Sequence, residues 1–371
     1  MGLFTHLAFC SASDCDGKTT VSRVVEQALG VKRFGRILRI PTPTPFGVGD
    51  INSYVILPEP GSDELVLIDT GVGTDEAWQY LQAGLNEYEH VIDDITLLLL
   101  THAHTDHFGQ ASRIRDVSGC EIWGHENVHS TVEGFLPSEE RIEEEKAFLQ
   151  GFGFSAEMYD KAYDYRDYIG EIYKPCQLDR EFKDNDVVPI NGFDLKVIHT
   201  PGHCPEEVVF WQAESRQMFS GDHLLPDVTP VCLLDFPASP GAERTHTLSQ
   251  YYQSADKVIP YDIKHIYPSH GDVFEGHREL IAGYKLSTER RLLKISKILE
   301  QYGMLTPFEV GQYLFPKVWE DQLYAVISEV MGHLDLMFDE GFVTTHEVEG
   351  VIYYKSHSAP HPGTIFKPVS Y

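Results

Sequence analysis

The apolar positions of this chain fall into short continuous runs and short alternating ones. Ile95–Leu100, ITLLLL, has the length and bounds of a buried strand. Glu64–Thr70, ELVLIDT, is a second apolar strand that ends in Asp69, Thr70 and Gly71. Ile51–Leu57, INSYVIL, alternates as a strand should, and the turn Pro58–Asp63 joins it to Glu64–Thr70 as an antiparallel hairpin. Gly35–Ile40, GRILRI, reads as a strand before the turn-rich loop Pro41–Asp50. Further on, Glu121–Gly124 is a short strand. Val187–Ile190 and Phe193–His199 flank the hairpin turn Asn191–Gly192. Val208–Trp211 and Gln217–Ser220 form another hairpin, and Asp262–Tyr267 is a last strand. Helical periodicity is placed between them at Asp75–Leu85, Gly109–Asp116 and Ser249–Val258. Strands interleaved with helices in this way predict an α/β fold.

Two stretches leave this alternation. Residues 126–175 read as a helical insertion, with Glu139–Phe148 strongly helical and tyrosines at 159, 163, 165, 168 and 173. The tyrosines fit either core packing or an aromatic wall for a substrate, with Tyr159, Tyr163 and Tyr168 as the substrate-facing candidates. The insertion is expected to cap the functional site. After residue 285 the chain changes again. Leu286–Gln301 is a helix. Thr306–Glu309, TPFE, is a capping box with Pro at the first helical position of a helix that runs to Leu314. Asp321–Asp339 is a longer helix, and Gly341–Tyr354 suggests two strands around Glu349–Gly350. Three helices and a hairpin look like a small winged-helix-like unit, 286–356. Residues 1–34 are an N-terminal extension in which Lys18–Leu29 could form an amphipathic helix. Residues 357–371 are a Pro-rich tail. The main body is then 35–285.

Charge narrows the functions open to such a chain. With 29 basic and 57 acidic residues the net charge is −28, which disfavours polyanions bound through Lys and Arg. Between Lys317 and Lys355 there is no Lys or Arg, so the C-terminal unit is expected to serve in packing, dimerisation or pocket closure and not to bind nucleic acid. No apolar run reaches membrane-spanning length. The N-terminus has no basic leader, and six cysteines lie scattered without zinc-ribbon spacing, which predicts a cytoplasmic protein with reduced thiols.

Candidate chemistry gathers just after the ITLLLL run. Thr101–Gln110, THAHTDHFGQ, packs His102, His104, Asp106 and His107 into six positions at a strand end. In α/β proteins that rim is where ligands bind. Imidazoles and carboxylates are the donors of zinc and similar ions. Alternation lets His102 and His104 face one way, while Asp106 and His107 follow at the turn, where they can serve a second ion. Three later strand ends each offer one more donor: His203 in TPGH, Asp222 in SGDH and His270 in PSHG. Cys204 beside His203 reads as a small buried residue. No Ser/His/Asp constellation or phosphate-cradling glycine loop stands out.

The HxHxDH spacing, the LIDTG-like strand end and the three downstream motifs, in this order, resemble the metallo-β-lactamase superfamily from about Gly35 to Tyr284. The resemblance implies an αββα sandwich. It implies that His102, His104 and His203 hold one divalent ion, that Asp106, His107 and His270 hold a second, and that Asp222 bridges them. Zinc is the expected ion, with iron or manganese as alternatives. Asp69 would hold the metal-binding loop by hydrogen bonds, and His199 would support a ligand from behind. Asp106 would orient the nucleophile and pass a proton to the leaving group. The implied function is hydrolysis of a small ester-like bond, a thioester or lactone, by a hydroxide that two ions activate. Asp222 in place of a cysteine, with an intact Asp106–His107 pair, sets the chain apart from the commonest zinc β-lactamases and favours glyoxalase II-like hydrolases. The alternatives are a LACTB2-like ribonuclease or phosphodiesterase, whose branch carries a similar C-terminal unit, and a non-catalytic metal-binding sensor. The expected partner is a small-molecule substrate, with neither nucleic acid nor membrane, and a homodimer is compatible.

Overall fold

The apolar runs assemble into two sheets that face each other. The first has seven strands in chain order: β1 (Lys32–Phe34), β2 (Ile37–Thr42), β3 (Ile51–Ile56), β4 (Leu65–Ile68), β5 (Ile95–Leu99), β6 (Glu121–His125) and β7 (Arg180–Phe182). Tight connections keep β1 to β4 antiparallel, and helical or long crossovers make β4 to β7 parallel. The helices α1 (Asp75–Asn86), α2 (Thr105–Phe108) and α3 (Ala111–Ser118) lie in those crossovers. The inserted stretch supplies α4 (Glu139–Gln150) and α5 (Ala156–Ala162). The second sheet holds β8 (Val187–Val188), β9 (Leu195–His199), β10 (Val208–Gln212), β11 (Gln217–Gly221) and β12 (His265–Pro268), ordered β12-β11-β10-β9-β8. The helix α6 (Thr247–Val258) carries the chain from β11 to its parallel neighbour β12. Then follow α7 (His277–Tyr302), α8 (Pro307–Leu314), α9 (Leu323–Asp339) and the hairpin β13 (Val343–Val348) and β14 (Val351–Ser356). This computed structural model describes residues 30–128, 137–164, 168, 170, 172–319, 322–358, 360, 363, 365 and 366. The predicted helix Lys18–Leu29 and Tyr165 lie outside them.

Three apolar clusters show why the layers stack as helix, sheet, sheet, helix. Leu97 and Leu99 of β5 point into the core between the sheets, with Val197, Phe210 and Phe219 from the other side. Leu98 and Leu100 point the opposite way, against Trp78 and Leu81 of α1 and Ile114 of α3. Both faces of β5 are therefore dry, and ITLLLL must be continuous where a half-exposed strand would alternate. The strand β3 is buried on both sides as well: Val55 joins the helical side, Tyr54 and Ile56 the inter-sheet core. The outer face of the second sheet, Ile198, Val209, Met218 and Ile266, packs under α6 and α7. The predicted αββα architecture is what these contacts build.

The predicted elements recur with shifts, two of which move a limit drawn above. The segment Lys32–Phe34, assigned above to the N-terminal extension, is an edge strand paired with β2, because Gly35 (φ 65°) turns the chain back. The helix α7 begins at His277 instead of Leu286, so the limit drawn between 285 and 286 falls inside one continuous helix. The helices of the insertion pack on those after β12. Phe154 meets Phe308 at 5.6 Å, Tyr163 meets Tyr324 at 5.0 Å, and the Ile352 amide donates to the Gly151 carbonyl at 2.8 Å. The capping box of α8 is present as read: Thr306 Oγ1 accepts from the Glu309 amide at 3.2 Å, and Glu309 Oε2 accepts from the Thr306 amide at 2.8 Å. No helix among the described residues is long and apolar enough to cross a membrane.

Candidate metal centre

All seven predicted donors meet at the open rim between the two sheets. The strand β5 ends at Leu99, and the chain runs through His102 to His104, the N-cap of the single-turn helix α2. That turn swings Asp106 and His107 back toward the strand end. His203 lies in the loop between β9 and β10, at a place only glycine allows. Gly202 has φ 143°, and a Cβ there would stand 2.4 Å from the Tyr251 backbone. Asp222 follows Gly221 (φ 51°) at the end of β11. His270 follows β12 and is tied across to the first sheet. Asn52 donates its amide to the Ser269 carbonyl at 2.6 Å and its side chain to Pro268 and Gly271, while the Tyr54 hydroxyl donates to Pro268 at 2.6 Å.

Two donor groups result. His102, His104, His203 and Asp222 form one, and Asp106, His107 and His270 form the other; within each, the donor atoms lie within 4.8 Å of one another. His104 Nδ1 is 3.0 Å from His102 Nε2 and 2.9 Å from His203 Nε2. Asp222 stands between the groups. Its Oδ2 is 3.3 Å from His203 Nε2, and its Oδ1 is 3.6 Å from His107 Nε2 and 3.7 Å from His270 Nε2. His270 Nε2 lies 3.5 Å from Asp106 Oδ2.

The hydrogen bonds behind the rings fix which nitrogen is bare. His203 Nδ1 donates to the Val231 carbonyl at 2.6 Å and His270 Nδ1 to the Asp50 carbonyl at 2.9 Å. His107 Nδ1 donates to Asp69 Oδ2 at 2.8 Å. Thr101 Oγ1 gives its proton to the same carboxylate at 2.7 Å, which leaves its lone pair for His102 Nδ1 at 3.1 Å. Each of these four rings therefore holds its Nδ1 proton outward and turns its Nε2 inward, the second-partner pattern of metal-bound histidine. His107 Nε2 is buried and has no hydrogen-bond partner among the described residues. Imidazole nitrogens at 2.9–3.0 Å with buried carboxylates beside them are hard to hold together without a shared cation. The donor set fits divalent metal.

Electrostatics point the same way. Burial, reinforced by neighbouring imidazoles, holds His102 well below the usual histidine range and brings His104 down to about 3. Burial also lowers His203, against the pull of Asp222. At His107 burial is outweighed by Asp222, Asp106 and Asp69, which raise it to about 9. His270 is raised too, because Asp222 and Asp106 overcome its burial. Burial would raise Asp106 and Asp222, but the facing histidines keep both below the usual carboxylate range. Neutral imidazoles and ionised carboxylates are the forms that metal binding requires, and the protons on His107 and His270 sit where a cation would.

Asp69 occupies the predicted supporting place and does more than the motif suggests. At φ 56° it accepts from the Thr101 amide at 2.9 Å as well as from Thr101 Oγ1 and His107. His199 touches no donor. Its Nε2 donates to the Pro205 carbonyl at 2.8 Å, bracing the His203 loop, and its ring stacks on His125 at 4.1 Å. Tyr159 and Tyr163 are buried in the core shared with α9, with Tyr159 hydroxyl 2.5 Å from Glu145 Oε2, so the packing alternative holds for them and neither offers a face to a substrate. Tyr168 is exposed. Cys204 is buried with its thiol pushed well up by burial, as a small core residue should be. Two residues of the centre were not singled out from the sequence. They are Thr101 and Ser269, whose hydroxyl donates to Asp222 Oδ1. Each immediately precedes a donor histidine, and that adjacency was the only available signal.

If the two groups are separate sites, His203→Ala should weaken an ion in the first and spare the second, and His270→Ala should do the reverse. Elemental analysis with competitive chelator titration reads this. Equal loss from both sites in either variant would contradict the division.

The family model described as "Metallo-beta-lactamase superfamily" matches residues 46–270, more than half of the chain. A probable metallo-hydrolase, YqjP of Bacillus subtilis (strain 168), is 29% identical over 325 residues, covering 86% of this chain and 98% of its own length. The atrochrysone carboxyl ACP thioesterase dmxR1 of a Cryptosporiopsis species (strain 8999) is 23% identical over 270 residues, covering 72% of this chain and 63% of its own. The crystal structure of a metallo-beta-lactamase family protein from Thermus thermophilus superposes with a TM-score of 0.69 at 23% identity, over 87% of this chain and 99% of that one.

Proposed function

Because the chain belongs to the metallo-beta-lactamase superfamily, we propose that it is a two-metal hydrolase acting on a small ester-like bond, a thioester or a lactone. One observation carries the reading: Asp222 belongs to the first donor group through Oδ2, and its Oδ1 lies 3.6 Å from His107 Nε2 of the second. Two divalent ions held there would lower the pKa of water to near neutrality and polarise the substrate oxygen. Zinc suits an imidazole-rich set, with iron or manganese as alternatives.

The chain's own groups supply the rest. Asp106 lies against His107 and His270 and is ionised, so it can accept a proton from the attacking water and return it to the leaving group. Asp69 and Thr101 lock the His107 ring, so the second donor group is preorganised. Each of the two loops that hold a ligand ring from behind also carries an exposed valine. Val48, 43% exposed, precedes Asp50, whose carbonyl holds His270. Val228, 42% exposed, lies between Pro226, which packs on Gly271, and Val231, whose carbonyl holds His203. The net charge of −28 suits an uncharged acyl group better than a phosphodiester. The thioesterase name of one relative agrees with that choice.

Metal-loaded protein assayed on thioesters, lactones, phosphodiesters, β-lactams and RNA should turn over a thioester or lactone with the highest kcat/KM. Faster cleavage of RNA or a phosphodiester would replace this reading with the nuclease one. Two bound ions with no turnover on any of them would favour a metal sensor.

A further inference from the structure

The outer face of α7 carries three basic side chains that form no ion pair among the described residues, the nearest acid along that face, Glu300, lying three positions beyond the last of them. Arg290, Lys294 and Lys297 are exposed and spaced i, i+4, i+7, so they form one stripe about 10 Å long. None has an ion-pair partner among the described residues. Some basic side chains elsewhere meet acids, as Arg113 meets Asp75, Lys183 meets Glu126 and Arg216 meets Asp262, and others stand singly; here three line one helix face. On α7 itself, Lys285 meets Asp256 and Arg291 meets Glu329 across the packed sides of the helix. With 57 acidic and only 29 basic residues, three unpaired cations on one face run against composition. Leu286, 46% exposed, lies one turn before Arg290 on the same face. The stripe therefore combines an apolar foothold with a row of positive charge.

We propose that this face docks an acidic amphipathic segment of a partner protein, its apolar side on Leu286 and its acids on Arg290, Lys294 and Lys297. A nucleic acid fits less well. A strand leaving so short a stripe would run onto a surface that is strongly negative overall. The elements packed beside α7 include α9 and the β13–β14 hairpin, where no Lys or Arg occurs between Lys317 and Lys355. A short acidic segment confined to the stripe escapes that repulsion, and its charges are complementary to the face.

The test uses the full metal-loaded chain and fluorescence anisotropy. The probes are a labelled helical peptide with Leu at i−4 and Glu at i, i+4 and i+7, and a labelled single-stranded RNA of about the same charge. The peptide should bind, lose about tenfold in affinity between about 50 and 300 mM salt, and lose at least about tenfold in Arg290→Glu/Lys294→Glu/Lys297→Glu. The corresponding triple Gln variant should fall between, with metal content and melting temperature unchanged in both. No peptide binding, or equal binding by the Glu variant, would overturn the proposal. So would tighter binding of the RNA, which would make the stripe a nucleic-acid contact. A homodimer that the triple Glu variant dissociates would overturn it in favour of self-association.

Discussion

Asp222→Ala is expected to reduce bound metal from two ions per chain to one or fewer and to lower kcat/KM by about a thousandfold or more. The two carboxylate oxygens of Asp222 face different donor groups. Oδ2 completes the set of His102, His104 and His203, and Oδ1 lies toward His107 and His270. The carboxylate is held in that pose by the Ser269 hydroxyl, whose residue is in turn fixed by Gly221 and Asn52 through its backbone. On the proposed two-ion reading, truncation would remove a donor from each site and the negative charge between the ions, and it would leave the Ser269 hydroxyl without its acceptor. Asp222→Asn keeps the shape but not the charge, so it should retain more metal than Ala and still lose most activity. Elemental analysis and turnover on the best substrate check both variants, with circular dichroism as the folding control. Two tightly held ions and near-normal turnover in Asp222→Ala would end the bridging assignment.

What the sequence made legible was whatever is local. The donors sit in short motifs at strand ends, and a strand buried on both faces declares itself by an unbroken apolar run such as ITLLLL. The capping box at Thr306 is equally local, and the structure reproduces it bond for bond. Contacts between distant segments were not legible. Asn52 and Tyr54 hold the His270 loop from more than 200 positions away, and nothing in INSYVIL sets them apart from other strand residues. The cap tyrosines show a second limit. A spacing of aromatic residues looks the same whether it faces a substrate or a neighbouring helix, and only the presence of Tyr324 beside Tyr163 decides it. Helix ends depend on tertiary packing in the same way: α7 starts early because Ile281 and Tyr284 are buried in the body, where pattern alone was too sparse to extend the helix.

The second large effect is expected at Asp69, which touches no metal position. Asp69→Ala should destabilise the metal-free protein by about 3–6 kcal/mol and selectively empty the second donor group. Three buried donors converge on this carboxylate: the Thr101 amide, the Thr101 hydroxyl and His107 Nδ1. Each buried donor left without an acceptor costs about 1–3 kcal/mol, and neighbouring losses do not simply add. The backbone adds a further penalty, because φ 56° at this position suits Asp or Asn better than Ala. Once the acceptor is gone, only the long 3.5 Å contact from Thr101 Oγ1 to Nδ1 is left behind the His107 ring, while His203 keeps its bond to the Val231 carbonyl. The first donor group should therefore still load, and chelator titration should show one strong site where the parent shows two. Asp69→Asn separates backbone from charge. It tolerates the left-handed backbone and offers one acceptor oxygen, so its melting temperature should lie between those of the parent and Asp69→Ala. An Asp69→Ala protein that melts with the parent and holds two ions equally tightly would mean that His107 is positioned by packing alone, and the hydrogen bonds behind the ring would lose the role assigned to them.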